Sequence, residues 1–249
     1  MVDARELGTI AVIGGTGAEG SGLAWRWARA GLDVIIGSRA ADKGANAAVE
    51  LNARLGGGAV AGAAGGAVAG AAGGAVAGAA GGAVRGTDNL SAAQQAAIVV
   101  LSVPYESQAA ILATIQPALA GKTLVTIVAP LLGEKKGRYT PPPGGSAALE
   151  VQAQVGDGVT LVAAFQNVGA HHLADVEHSI ECDVLVCAET REARETGIAL
   201  AQAAGLRGVH AGVLANTAVV EGLTAVLIAV NAAYKVRSAG IRITGLPRP

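Results

Sequence analysis

The sequence predicts an α/β protein built on a doubly wound parallel sheet, and three observations carry that expectation. Short apolar, β-branched runs alternate with stretches of helical spacing along most of the 249 residues. The first run, Thr9 to Ile13, leads straight into the glycine turn Gly15-Thr16-Gly17-Ala18-Glu19-Gly20. The second run, Asp33 to Gly37, is followed at once by Ser38 and Arg39. Strands that alternate with helices in this way form parallel sheets with crossover helices on both faces.

The first unit is the most informative. Thr9 to Ile13 suits a buried parallel strand, and the glycines after it serve separate needs: a tight turn, close approach of backbone to a pyrophosphate, and close packing of helix on strand. From Gly17 the chain can enter a helix whose unpaired N–H groups and positive dipole end face a diphosphate. Leu23, Trp27 and Ala30 recur at helical spacing, and Gly31 stands where a left-handed cap is expected. Asp33 to Gly37 then completes a Rossmann-type βαβ unit. At the end of such a second strand, an acidic residue reads the ribose 2′-OH of NAD, whereas a 2′-phosphate requires cations. Here Ser38, Arg39 and, one turn later, Lys43 offer a hydroxyl, a guanidinium fork and a second cation. The residues therefore point to NADP(H), bound by Gly15, Thr16, Gly17, Ala18, Glu19, Gly20, Ser38, Arg39 and Lys43.

The next elements follow in order. Ala40 to Leu55 reads as a helix ending in glycine. Asn89 or Ser91 can cap a short helix before the apolar strand Ala97 to Val103, which Pro104 stops at the edge where a cofactor would lie. Gln108 to Ile115 reads as a crossover helix and Thr123 to Val128 as a further strand. Pro130 to Gly145, with Pro141-Pro142-Pro143, is a proline-stiffened loop before a helix (Ala147 to Val155) and a strand (Val159 to Phe165). Beyond these lie a strand in Cys182 to Cys187, a helix from Glu192 to Ala204, and the apolar pattern Val213 to Tyr234, which Glu221 interrupts too centrally for a membrane span. Two domains are expected: a nucleotide-binding domain over 1–168 and a smaller, helix-rich α/β domain over 169–249 that completes an acceptor cleft.

One segment departs from this pattern. Between Arg54 and Arg85 there is no charge, and an octapeptide, GGAVAGAA, repeats before a final GGAVRG. Removing three copies leaves LGGGAVRGTDN, a helix end followed by a strand, so residues 57–80 read as a tandem expansion inside a connection. Glycine at every fourth position lets helices approach closely, but each one costs about 1 kcal/mol against Ala in a helix. Four valines bury too little to offset ordering, so a surface loop is expected.

Composition sets the remaining bounds. A net charge of −1 gives no basic surplus for nucleic acid, and two Trp, three Tyr and one Phe make the core Ala-rich. MVDARELG lacks the apolar stretch of a secretory signal, so a cytoplasmic protein is expected. Odd spacing sends Cys182 and Cys187 to opposite faces of their strand, which argues against a disulfide. His171, His172, Asp175 and His178 have no recognised ligand spacing, and no metal is expected. Glu221 reads as a satisfied buried or interface carboxylate.

Across nearly the whole chain outside the repeat, the sequence resembles the NADPH-dependent oxidoreductases of the deazaflavin coenzyme F-420 (F420). The resemblance is carried by GGTGAEGSG, GSR with Lys43, SVPYE (Ser102 to Glu106), VAPLL (Val128 to Leu132), PPPGGSAA, AFQNVGAHHL (Ala164 to Leu173), CDVLVC, NTAVVEGLTAVLIAVN (Asn216 to Asn231) and YKVRSAGIRITGLP. It implies that backbone at Thr16, Gly17, Ala18 and Glu19 holds the pyrophosphate, that Ser102, Val103, Pro104 and Ala170 flank the nicotinamide, and that the deazaflavin lies near Asn167, Val168, Asn216, Ala239 and Gly240. Gly169 stands where some members carry Pro or Ser, and the repeat has no counterpart.

The implied reaction is reversible hydride transfer between the nicotinamide and the deazaflavin. The cofactors supply that chemistry and the protein stacks the rings and excludes water, so no catalytic side chain is named. A reductase of another acceptor (a flavin, an imine or a metal chelate) and a non-enzymatic NADP(H) sensor remain as alternatives. A helix apolar on most sides needs more than one neighbour, so a homodimer through Val213 to Tyr234 is expected.

Overall fold

Ile10, Ala11, Val12 and Ile13 are wholly buried, and their side chains alternate between two cores, one on each face of a central sheet. This strand, β1 (Ile10–Ile13), sits mid-sheet, so both faces of it must be apolar. The structure, a computed structural model, describes residues 6–56, 82–131, 137–175 and 180–246. Among these the sheet has eight strands: β1, β2 (Val34–Ser38), β3 (Val84–Asp88), β4 (Ile98–Leu101), β5 (Thr123–Thr126), β6 (Thr160–Ala163), β7 (Asp183–Cys187) and β8 (Arg207–Gly212), in the order β3-β2-β1-β4-β5-β6-β7-β8. The first six run parallel, in the doubly wound order of dinucleotide-binding folds. β7 joins antiparallel through Ala163 and Cys187, and β8 pairs parallel with β7. The boundary expected near residue 168 thus falls where strand direction reverses within one continuous sheet.

The helices are α1 (Ala18–Arg29), α2 (Ala41–Gly56), α3 (Asn89–Gln95), α4 (Tyr105–Ile115), α5 (Ala147–Val155), α6 (Ala170–Leu173), α7 (Arg191–Ala203) and α8 (Thr217–Tyr234). Trp27 of α1 anchors one core: it is fully buried, meets Phe165 edge-on with centroids 5.9 Å apart, and donates its indole N–H to Leu200 O at 2.9 Å. Such an aromatic pair adds about 1 kcal/mol beyond the area it buries. Gly31, with φ +92°, closes α1 as the sequence predicts.

Several boundaries differ from the sequence expectation. The cap of α3 is Asp88, whose carboxylate accepts from Ser91 N, so the capping group lies one residue before the expected Asn89. α4 begins three residues earlier than expected, directly after Pro104. The strand β8 was not anticipated, because Arg207–Gly212 contains two glycines and no run of apolar side chains. Leu214–Tyr234 is, by length and composition, long and apolar enough to cross a membrane, contrary to the expectation that Glu221 interrupts it. Cys182 and Cys187 are free, buried, and belong to opposite cores, as their spacing predicts.

The repeat lies mostly outside the described residues, as do Leu132 and His178, so its surface-loop expectation has no structural counterpart. Its two ends are visible. α2 stops at Gly56, and the last unit supplies Val84, Arg85 and Gly86 to the edge strand β3.

Candidate active site

The glycine turn joins the carboxyl end of β1 to α1. Gly14 adopts φ +75°, and a Cβ there would strike Ser102 O and come within 2.8 Å of Val103 Cγ1. On Gly15 a Cβ would approach Val12 O at 2.8 Å, and on Gly20 it would lie 2.9 Å from Ser102 Oγ. The turn is therefore pressed against the end of β4, and Ser102 forms part of its floor. Gly17 caps α1 without a side chain, which leaves the first-turn N–H groups open to an anion. Thr16 and Gly17 are exposed at the turn's tip. Gly14, the first residue of GGTGAEGSG, is the residue of the turn that most strictly requires glycine.

Beside this turn lies a cleft of about 380 Å³ along the carboxyl edge of the sheet. Its walls are Gly17, Ala18 and Glu19 of the turn and α1, Ser102 to Tyr105 after β4, Ile127 to Ala129 and Leu131 after β5, Gln166 and Val168 to Ala170 after β6, and Thr224 of α8. The structure thus gathers Gly17, Ala18, Glu19, Ser102, Val103, Pro104, Val168 and Ala170 into one site. Gly15 and Gly20 pack beneath it. Burial pushes the carboxyl of Glu19 up to about 8, although the residue as a whole is only half-buried. Tyr105 is held away from acid–base work: burial first, and then its hydrogen bond to Glu150, push it up to about 12.

Ser38, Arg39 and Lys43 lie one strand away, around the end of β2 and the start of α2. Ser38 is buried, whereas Arg39 and Lys43 are exposed. Asp88 stands in register with Ser38, but hydrogen bonds from Ser91 hold its carboxylate low and engage it as the α3 cap.

Four other sequence-derived positions do not line the cleft. Asn167 is buried with its amide engaged along β7, donating to Asp183 O at 2.6 Å and accepting from Leu185 N. Asn216 donates to Ala211 O beside the positive-φ Gly212. Ala239 N donates to Asn231 Oδ1, and Gly240 packs on Cys182 at the start of β7. His172 Nε2 lies 3.1 Å from Ser238 O and tethers the C-terminal segment to α6. Gln166, Tyr105 and Thr224 line the cleft and were not singled out from the sequence.

Fold and site together define a dinucleotide-dependent oxidoreductase. Residues 9–130 match the family described as "NADP oxidoreductase coenzyme F420-dependent". The chain is 36% identical over 243 residues to an F420-dependent NADP reductase of Methanothermobacter marburgensis, covering 96% of this chain and 99% of that one. It is 37% identical to the protein of the same description from Methanothermobacter thermautotrophicus, over 96% of this chain and 95% of the other. A crystal structure of a candidate F420-dependent NADP reductase from Arthrobacter sp. FB24 shares the fold, with a TM-score of 0.72 at 20% identity, over 94% of this chain and 98% of that one. The chain belongs to the F420-dependent NADP reductases.

Proposed function

We propose that this protein transfers a hydride reversibly between NADP(H) and the deazaflavin coenzyme F420 within the cleft between α1 and the ends of β4 to β6. The observation that carries this reading is the composition of the walls. An anion-ready helix start stands on one side, and Val103, Pro104, Ile127, Val128, Val168 and Ala170 supply an apolar enclosure on the other. The fit to NADP(H) rests on Gly14, Gly15 and Gly20, whose missing Cβ atoms let the turn pack on the ends of β1 and β4 and so hold the open start of α1 at the cleft.

Backbone at Thr16, Gly17, Ala18 and Glu19 would hold the pyrophosphate, Ser38, Arg39 and Lys43 the 2′-phosphate, and Ser102, Val103, Pro104 and Ala170 the nicotinamide side. Val168 would meet the deazaflavin from within the cleft, while Asn167, Asn216, Ala239 and Gly240 would frame it from the region 169–249 and the turn before it. When bound, the two cofactors supply the hydride donor and acceptor carbons. The protein's part is to stack the rings at reacting distance and keep water out. The assay follows NADPH absorbance on adding oxidised F420. Turnover is expected, and its absence beside turnover with FMN would overturn the reading.

We further propose a cytoplasmic homodimer that uses small molecules rather than nucleic acid or membrane as partners. Val219 and Val226 of α8 are 69% and 54% exposed, and Val213 beside it is 43% exposed, an apolar surface suited to a second copy. Light scattering that returned a mass near the 24.3 kDa of one chain would reject the dimer. Partitioning into detergent or membrane fractions would instead assign that surface to lipid.

A further inference from the structure

Gln166 is only 4% exposed, yet it forms part of the cleft wall. Its Nε2 donates to Thr126 O at 3.0 Å, and its backbone carbonyl accepts from Thr224 Oγ1 at 2.8 Å. Among the described residues its Oε1 has no partner. The amide orientation is settled chemically: Thr126 O can only accept, so the nitrogen must face it and the oxygen is the atom left buried and unpartnered in the cleft wall. The residue before it, Phe165, is a buried aromatic at φ +74°, a conformation that bulky residues rarely adopt. Trp27 packs against the Phe165 ring and fixes it. The fold thus maintains an uncommon backbone turn that leaves one unpaired acceptor in the wall of the site, within reach of a ligand by a small side-chain adjustment.

We propose that Gln166 Oε1 accepts a hydrogen bond from the carboxamide N–H of the nicotinamide and so selects which face of that ring meets the acceptor. The inference rests on NADP(H) occupying the cleft as proposed above. The carboxamide is attached next to the reacting carbon, so holding it sets the ring's rotation about its glycosidic bond. The deazaflavin also carries an N–H, but that group is flanked by two carbonyls, and reading all three takes donors beside an acceptor. The amide nitrogen of Gln166 is already engaged by Thr126 O, so only the acceptor is on offer.

The test is equilibrium binding of NADP+ and two analogues to the full chain, without turnover. The thionicotinamide analogue keeps the NH2 group, whereas the 3-acetylpyridine analogue replaces it with methyl. Wild type should bind NADP+ and the thionicotinamide form about tenfold more tightly than the acetylpyridine form, the value of one hydrogen bond. Gln166→Met should bind all three alike, with the KM for F420 unchanged. Wild type that binds all three equally would overturn the proposal, even if Gln166→Met failed to fold. So would a folded Gln166→Met that kept the wild-type preference, or one that altered only the KM for F420. Wild type that bound none of the three would overturn the NADP(H) reading itself, and this inference with it.

Discussion

Glu221, in α8, accepts a hydrogen bond from the backbone N–H of Ala147 at 2.8 Å, at the first residue of α5, and a second from Ala148 N at 2.9 Å. The contact joins α8, one wall of the cleft, to the helix after the proline loop, and Ser146 Oγ reinforces it 2.6 Å from Thr217 Oγ1. Glu221 is 1% exposed, and burial outweighs the two N–H donors, raising its carboxyl from an ordinary 4.5 to about 7. The folded chain therefore holds a proton that the unfolded chain releases between those values. Its contribution to stability is fully present below pH 4.5 and is lost as pH rises through 7, by about 3 kcal/mol at most. Glu221→Gln should flatten that part of the stability profile. Denaturant unfolding of both proteins from pH 4.5 to 8 measures the difference in slope, and parallel profiles would show that Glu221 is ionised throughout.

Arg39→Ala tests the 2′-phosphate assignment. Arg39 is exposed beside buried Ser38, with no burial to make its removal structural. The substitution should raise the KM for NADPH by roughly tenfold to a hundredfold, as expected for one charge-assisted contact. The KM for NADH, which lacks the 2′-phosphate, should hardly change. Equal effects on both nucleotides would place Arg39 elsewhere.

Gly14→Ala separates the turn's geometry from its charge. The added methyl group meets Ser102 O, a backbone atom that cannot swing aside, and alanine must also adopt φ +75°. The cost should be about 2 kcal/mol or more of stability, together with weaker binding of NADP(H) and NADH alike. Gly31→Ala is the control: its φ is equally left-handed at +92°, but nothing lies within 4 Å of the added methyl. It should lower stability by about 1 kcal/mol and leave nucleotide affinity intact.

The sequence shows the α/β frame clearly where local chemistry and tertiary packing agree. α5 spans the expected Ala147 to Val155 because Ser146 caps one end and Gly156, at φ +74°, closes the other. The glycine turn was legible because each glycine answers a separate steric demand. Edge strand β8 was not, since its pairing with β7 rather than its own side chains makes it a strand. Gln166 was invisible for a different reason. Nothing in FQNVG announces that Phe165 will turn left-handed or that Thr126 O will take the amide nitrogen, and both come from partners distant in sequence. The amides of Asn167 and Asn216 illustrate the converse, because the structure engages both within the protein.

Arg26 ties the nucleotide turn to the opposite wall of the cleft. It is 7% exposed, and its guanidinium donates to Leu173 O, His172 O and Asp175 O at the end of α6 and to Ala204 O at the end of α7. α6 begins at Ala170 and α1 at Ala18, and both residues line the cleft, so the cleft's width depends on how α6 is held against α1. Gly22 allows this closeness, since a Cβ there would lie 2.7 Å from that of Leu173. A lysine carries the charge, but its three donors sit on a single nitrogen and cannot reach four carbonyls that the guanidinium meets from three separate nitrogens. Arg26→Lys should therefore leave carbonyls unpaired and cost about 3 kcal/mol. Arg191→Lys, at an exposed pair with Glu195, should cost less than about 0.5 kcal/mol. Because a small displacement of one wall disturbs ring stacking, kcat/KM of Arg26→Lys should fall by about tenfold or more even at temperatures where it is fully folded. Full activity in a destabilised Arg26→Lys protein would show that α6 keeps its place without the guanidinium, and would confine Arg26 to a role in stability.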